Sequence, residues 1–145
     1  MLSAHDFQNE QNYLIGKSRL HNRALHGKGV VNGLEVSVEG GSSAPLFVVQ
    51  PGFALDAYGR EILIVSPVRL AIGADVSPQY LIVEYLERET DPAPSPNSGM
   101  HATRIEEGAR LFLSSNDACG LAIARLLLDT SGWKVDLNFR PARPR

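Results

Sequence analysis

Apolar positions in the first 27 residues recur at roughly helical spacing. Phe7, Leu14, Ile15, Leu20 and Leu25 carry the pattern, and Gln8, Asn12, Arg19 and Arg23 mark an opposite polar face. The spacing predicts one helix over residues 1–27. Ser3 is placed to cap it, and Asp6 three residues later imitates the acidic partner of a capping box. Acidic Asp6 and Glu10 lie early, and basic Lys17, Arg19 and Arg23 lie late, which complements the helix dipole. Gly27 offers a left-handed stop after His26.

From Gly29 the period changes to two. Val30, Leu34, Val36 and Val38 mostly alternate with polar residues, and Asn32-Gly33 marks a turn or bulge within the run. Gly40-Gly41-Ser42-Ser43 predicts a hairpin tip. Residues 46–49 predict the next strand, followed by Pro51-Gly52 and the apolar Phe53-Ala54-Leu55. Asp56-Ala57-Tyr58-Gly59 has the composition of a type I turn, with glycine at the left-handed position. Residues 60–65 return as a strand that Pro67 stops. Residues 80–86 are rich in strand formers. Asp91 to Asn97 reads as a Pro-rich loop, with residues 103–114 pairing back across it. The apolar run 120–128 is short enough for strand and helix to compete, and its flanking Gly and Asp-Thr-Ser-Gly favour strand. Asp129–Gly132 then turns into 133–137. The tail from Phe139 to Arg145 holds two prolines and three arginines, so it cannot continue a central strand.

These elements predict a mainly β (α+β) fold: an N-terminal helix over 1–27, an antiparallel β domain over 28–138 and an Arg/Pro-rich tail over 139–145. The β domain is expected to be a small barrel or sandwich of six to eight short strands. Neither an internal repeat nor βαβ alternation is visible.

Composition narrows the function. The 145 residues suit one domain, and 43% apolar with 21% charged residues excludes a disordered chain. A net charge of −2 gives no nucleic-acid footprint. One cysteine, Cys119, excludes an intrachain disulfide and a Cys-based zinc site. No signal peptide or membrane span is visible; the apolar run at 121–124 stops at Arg125. A protein made and folded in the cytoplasm is expected.

Candidate chemistry is sparse. His21 and His26 are five residues apart, which on an α-helix leaves them roughly 140° apart. That is poor spacing for a shared metal, so they are expected to pack or hydrogen-bond at the helix–sheet junction. His5 and His101 read as surface residues. Asp56, Tyr58, Arg60 and Glu61 look chemical, yet turn geometry accounts for them, with Arg60 bridging to Asp56 or Glu61. Glu106 and Glu107 would point to opposite faces of a strand. Cys119 lacks a base and an oxyanion hole and reads as inert. Phosphate-binding, nucleophile-elbow and zinc-protease motifs are absent from the sequence. No catalytic, cofactor-binding or metal residue is therefore assigned, and no cofactor is expected. Two alternatives stay open. One is a small hydrolase using His21 or His26 with Asp56. The other is a carbohydrate-binding module, which needs exposed aromatics among Tyr58, Tyr80, Tyr85 and Trp133. The tail arginines suit a phosphate or carboxylate-rich partner, as a docking arm, unless the tail simply frays.

Two runs are distinctive as wholes. One is Asp6-Phe7, Glu10-Gln11-Asn12-Tyr13 and Leu20-His21-Asn22-Arg23-Ala24-Leu25-His26-Gly27-Lys28-Gly29-Val30-Val31-Asn32-Gly33-Leu34-Glu35-Val36. The other is Gln50-Pro51-Gly52-Phe53-Ala54-Leu55-Asp56-Ala57-Tyr58-Gly59-Arg60-Glu61-Ile62. Together they resemble small baseplate or fibre-attachment-type proteins of phage tails and phage-tail-like contractile injection systems, over roughly residues 2–38 and 46–65. Ile105-Glu106-Glu107-Gly108 and Leu121-Ala122-Ile123-Ala124-Arg125 also look like that group. The resemblance implies a structural subunit of a virion or injection particle, not an enzyme. It implies other tail, baseplate or fibre proteins as partners, and a homo-oligomer, trimeric by analogy. It carries over no individual functional residue. In a heptad frame Phe7, Leu14 and His21 fall at one seam position and Gln11, Ser18 and Leu25 at the other. So polar a seam does not make an autonomous coiled coil, and the helix is expected to pack on its own sheet or on a neighbouring subunit.

Overall fold

The computed structural model describes residues 1–41, 44–71, 77–95, 99–117 and 120–145, with side chains over the same ranges except 89–106. The helix forms as its capping signals dictate. Helix α1 spans Ala4–His21. The Ser3 hydroxyl accepts from the Asp6 amide at 3.2 Å, and the Asp6 carboxylate accepts from the Ser3 amide at 2.8 Å. These bonds, the backbone one foremost, hold the Asp6 carboxyl below its ordinary value. The helix then widens into a π-helical turn, Asn22–His26, which Gly27 ends at φ +71° with its amide donating to the Asn22 carbonyl.

Among the described residues ten strands follow, all paired antiparallel in three sheets. Strands β1 (Gly29–Gly33), β4 (Gly52–Leu55) and β5 (Glu61–Ile64) form one, in the order β1-β4-β5. Strands β2 (Val36–Glu39), β3 (Leu46–Val49) and β6 (Val68–Ala71) form the second, in the order β2-β3-β6. Strands β7 (Gln79–Ser95), β8 (Gly99–Ser114), β9 (Leu121–Asp129) and β10 (Gly132–Val135) form the third, in the order β10-β9-β7-β8.

The expected antiparallel β fold with an N-terminal helix is therefore present, but with more strands than six to eight, and two of them long. Two causes account for the difference. The paired segments 29–39 and 46–55 each break at one corner. There the chain passes from the first sheet to the second through Gly33 (φ +64°) and Leu34 (φ +60°) on one side and Gln50-Pro51 on the other. The crossing is close: a Cβ at Gly33 would overlap the Pro51 carbonyl, and one at Gly52 would overlap the Leu34 amide nitrogen. In addition, Pro67 precedes a strand as well as ending one, since a proline at a strand's margin costs no ladder bond.

The Pro-rich segment read as a loop lies largely inside β7. Strands β7 and β8 stay in register out to Pro92↔Ala102, Pro94↔Met100 and Ser95↔Gly99. Strand β9 pairs with β7 only over Gln79–Val83, so beyond that point no strand among the described residues pairs with that edge of β7. Period two places Pro92 and Pro94 on the same side of the strand, and their missing N–H groups are tolerated where that side is the unpaired edge.

One core draws on all three sheets. Ala54, Ile62 and Ile64 come from the first, Phe47 and Val49 from the second, and Leu81, Val83, Ile123 and Leu126 from the third. Trp133 meets Phe47 edge-on, with ring centroids 6.3 Å apart, joining the second and third sheets. The tail is neither frayed nor an outward arm. It lies along β1, with the Val30 amide donating to Ala142 O at 2.8 Å and the Arg145 amide to His26 O at 2.8 Å.

Helix α1 contributes no buried residue. Phe7, Tyr13, Leu14, Ile15 and Leu20 are all exposed. Of the two packing roles expected for the helix, its own sheet does not supply one along most of its length.

Candidate functional site

The best-organised cluster of polar groups sits where α1 meets the β body. It begins with the turn after β4. Asp56 accepts from the amides of Tyr58 (2.8 Å) and Arg60 (2.9 Å), and the Gly59 amide returns to the Asp56 carbonyl at 3.1 Å. This is the expected turn, with Gly59 at φ +77°. Glycine is required for a second reason as well: a Cβ at Gly59 would overlap the Arg19 carbonyl oxygen and stand 3.0 Å from the Arg23 amide nitrogen. The turn is thus a flat seat on which the end of α1 rests. Asn22 clasps it, donating to Gly59 O at 3.1 Å and to the Glu61 carboxylate at 3.4 Å.

Tyr85 of β7 forms the other side of the joint. Its hydroxyl has Glu87 at 2.9 Å and Glu107 at 3.0 Å, and accepts from Arg19 Nη2 at 3.3 Å. Arg19 also reaches Glu87 at 3.3 Å. One phenolic proton stands between two carboxylates. Burial first, then hydrogen bonding to both carboxylates, pushes the phenol well above the ordinary tyrosine range. Arg60 lies between two aromatic faces, 4.9 Å from the Tyr58 centroid and 4.8 Å from that of Tyr85, and its Nε bonds Asp56 at 2.6 Å.

This arrangement fixes a helix; it does not assemble a nucleophile with a base. Asp56 is occupied by its own turn and by Arg60, the bridge expected of that segment. The histidines depart from expectation. The π-helical turn takes more residues per turn than an α-helix, so positions 21 and 26 swing onto nearly one side. Their ring centroids lie 5.4 Å apart, in place of the divergence that α-helical spacing implies. His26 Nδ1 stands 3.2 Å from Arg145 O. Among the described residues neither histidine bonds Asp56, and no group of three or more His, Cys, Asp or Glu is placed to hold a metal. His5 pairs with Asn9 at 3.1 Å on the exposed start of α1. The structural surroundings of Cys119, His101 and Glu106 lie outside the described residues.

The aromatic candidates do not form a platform. Tyr58 is exposed but stacked on Arg60, Tyr85 is buried, Tyr80 packs edge-on against Phe139 at 6.0 Å, and Trp133 packs on Phe47. The anchoring role of Tyr85 was missed in the sequence. Gly59, three places after the turn's Asp56, is its one local trace.

A second feature lies across the joint. A groove of about 380 Å³ runs between Val31, Phe53 and Leu55 on the outer face of the β1-β4-β5 sheet and Arg143-Pro144-Arg145 of the tail. Beside it Leu63 and Val65 stand 57% and 78% exposed.

No protein family and no curated protein matches this sequence. A solved structure does match in fold, the class being an N-terminal helix on an antiparallel β body. It is the crystal structure of TssK, aligned over 97% of this chain with a TM-score of 0.59 and 15% identity. The chain spans 40% of that protein's length.

Proposed function

We propose that this chain is a structural subunit of a phage-tail-like contractile injection particle, at its baseplate or fibre-attachment region. The observation that carries the reading is the whole-chain likeness to TssK, a type VI secretion baseplate protein. The sequence resemblance reached the same kind of particle from residues 2–38 and 46–65. In this reading the chain's work is binding: other tail, baseplate or fibre proteins are its partners, and it acts as a homo-oligomer, with three copies by analogy. It carries out no catalysis and needs no cofactor. The polar cluster at Tyr85 supports a scaffolding role, since its groups are consumed in orienting α1. Among the described residues no helix is long and apolar enough to cross a membrane. Assembly in the cytoplasm and residence in a virion or injection particle complete the proposal.

The test is to isolate sheath-bearing particles from the producing cells and quantify their subunits by mass spectrometry. Enrichment of this chain at a fixed ratio to the other baseplate components supports the reading. Its absence from particles that contain every other component would refute it.

A further inference from the structure

The chain leaves two apolar surfaces uncovered, and they differ in shape. One is the convex stripe of α1, where Phe7 and Leu14 are 53% and 56% exposed. The other is the outer face of the β1-β4-β5 sheet, where Val31, Leu63 and Val65 are 41%, 57% and 78% exposed beside the 380 Å³ groove. On α1 Phe7 and Leu14 are aligned, whereas Tyr13 and Leu20 lie more than about 100° around the helix, so the stripe itself exposes on the order of 200 Å². That is a part of the ~800 Å² each partner gives a stable interface, the rest falling to the polar residues that flank the stripe.

We infer that α1 of one copy lies across the β1-β4-β5 face of a second copy, with Phe7 and Leu14 seated in its groove. The inference rests on the homo-oligomer part of the proposed function and names its interface. Charge selects the occupant. Glu10 and Lys17 each follow a stripe residue by three positions, so they flank Phe7 and Leu14 on one side of the helix. The groove is edged by Arg143 and Arg145 of the tail and by Glu61 of β5. An acid and a base on the helix thus meet two bases and an acid on the groove. Among the described residues no ion pair engages Glu10, Lys17, Glu61, Arg143 or Arg145. Helix-to-helix pairing is disfavoured because Gln11, Ser18 and His21 interrupt the seam. A helix does not enter its own groove either, because Asn22 and His26 at its foot already line that groove while Ile15, Ser18 and Arg19 line a different pocket with Tyr85 and Glu107. Helix and groove are different surfaces, so each contact joins unlike faces, and a closed assembly follows either from a two-fold exchange of helices or from a ring whose rotation closes.

The experiment measures native mass of the full chain, by native mass spectrometry and light scattering, for wild type and two double variants. Phe7→Asp with Leu14→Asp spoils the helix; Leu63→Lys with Val65→Lys spoils the face. All four side chains are more than half exposed, and circular dichroism with a melting curve checks that each variant folds. Wild type is expected as a closed oligomer and each variant as a monomer. The two variants mixed are expected to give a one-to-one heterodimer, since each retains the half the other lacks. Glu10→Arg is expected to weaken association at least tenfold, and Arg143→Glu added to it to restore most of that loss. A wild-type monomer at tens of micromolar overturns the inference even if the chain is found in particles. So does dissociation by the helix variant alone with the face variant intact, which means helices pair with each other. An oligomer surviving both variants overturns it as well. Particle composition, measured separately, decides the proposed function, so the two failures are distinguishable.

Discussion

Replacing Gly59 by alanine tests whether the body positions α1. Two costs add at this residue. A non-glycine residue at φ +77° loses about 1–2 kcal/mol. The new methyl would also overlap the Arg19 carbonyl, so the foot of the helix must lift off the turn. Lifting it breaks the Asn22–Gly59 bond and the Arg19 contacts to Tyr85 and Glu87, at about 1 kcal/mol each. The sum is about 4–5 kcal/mol, a large fraction of the ~5–15 kcal/mol that holds a typical domain together. For a chain of this size the melting temperature should fall by roughly 10–20 °C. Gly27→Ala is the matched control. Gly27 has φ +71° and ψ −170° with nothing within 4 Å of its would-be Cβ, so it bears a conformational cost without a clash, about 1–3 kcal/mol. Thermal melts of the two variants, with hydrogen exchange at Asn22 and Gly59, separate the terms. Equal losses for the two variants, with unchanged exchange, would refute the close seating of the helix.

Tyr85→Phe leaves two carboxylates and Arg19 without the shared hydroxyl and should cost about 1–3 kcal/mol in denaturant unfolding. The Tyr85 phenol is raised on folding, so its contribution is whole below the ordinary tyrosine value of about 10 and declines as pH rises beyond it. Melts between pH 9 and 11 should therefore steepen less with pH in Tyr85→Phe than in wild type. Asp136 is held below its ordinary value, first by the Asn138 amide and then by Arg125. Its contribution is present above about pH 4 and lost as pH falls through the depressed value, so Asp136→Asn should flatten the acid side of the stability curve. Phe47→Ala opens a cavity where the second sheet meets Trp133 and should cost about 3–5 kcal/mol in urea unfolding.

Local signals read well where local chemistry decides. Ser3 and Asp6 announced the start of α1, and Asp56 with Gly59 announced the turn. The apolar run at Leu46–Val49 and the strand read over residues 60–65 matched strands that bury both faces and one face respectively. What was not legible depends on distant parts of the chain. Pro92 and Pro94 signal a loop until one knows that pairing with β9 ends at Val83 while β8 continues in register as far as Ser95. The tail's prolines signal fraying until β1 offers the Val30 amide as a partner. His21 and His26 diverge on an α-helix and approach only because Asn22–His26 is π-helical, a widening no residue type there dictates. Tyr85, Glu87 and Glu107 look like ordinary strand residues; their meaning comes from Arg19, distant in sequence, packing onto them. The apolar spacing of α1 correctly gave a helix. It also implied a partner face, and within this chain that face is not met.

The central claim is that the chain is a structural part of a tail-like particle, and it is tested most directly by removing it. The gene is deleted in the producing strain, and particles are counted and imaged by electron microscopy, with the wild-type gene and the Gly59→Ala variant supplied back. The account predicts that deletion leaves sheath–tube assemblies missing or incomplete at the baseplate end, that wild type restores them, and that Gly59→Ala restores them poorly. Complete, contracting and active particles from the deletion strain would contradict it.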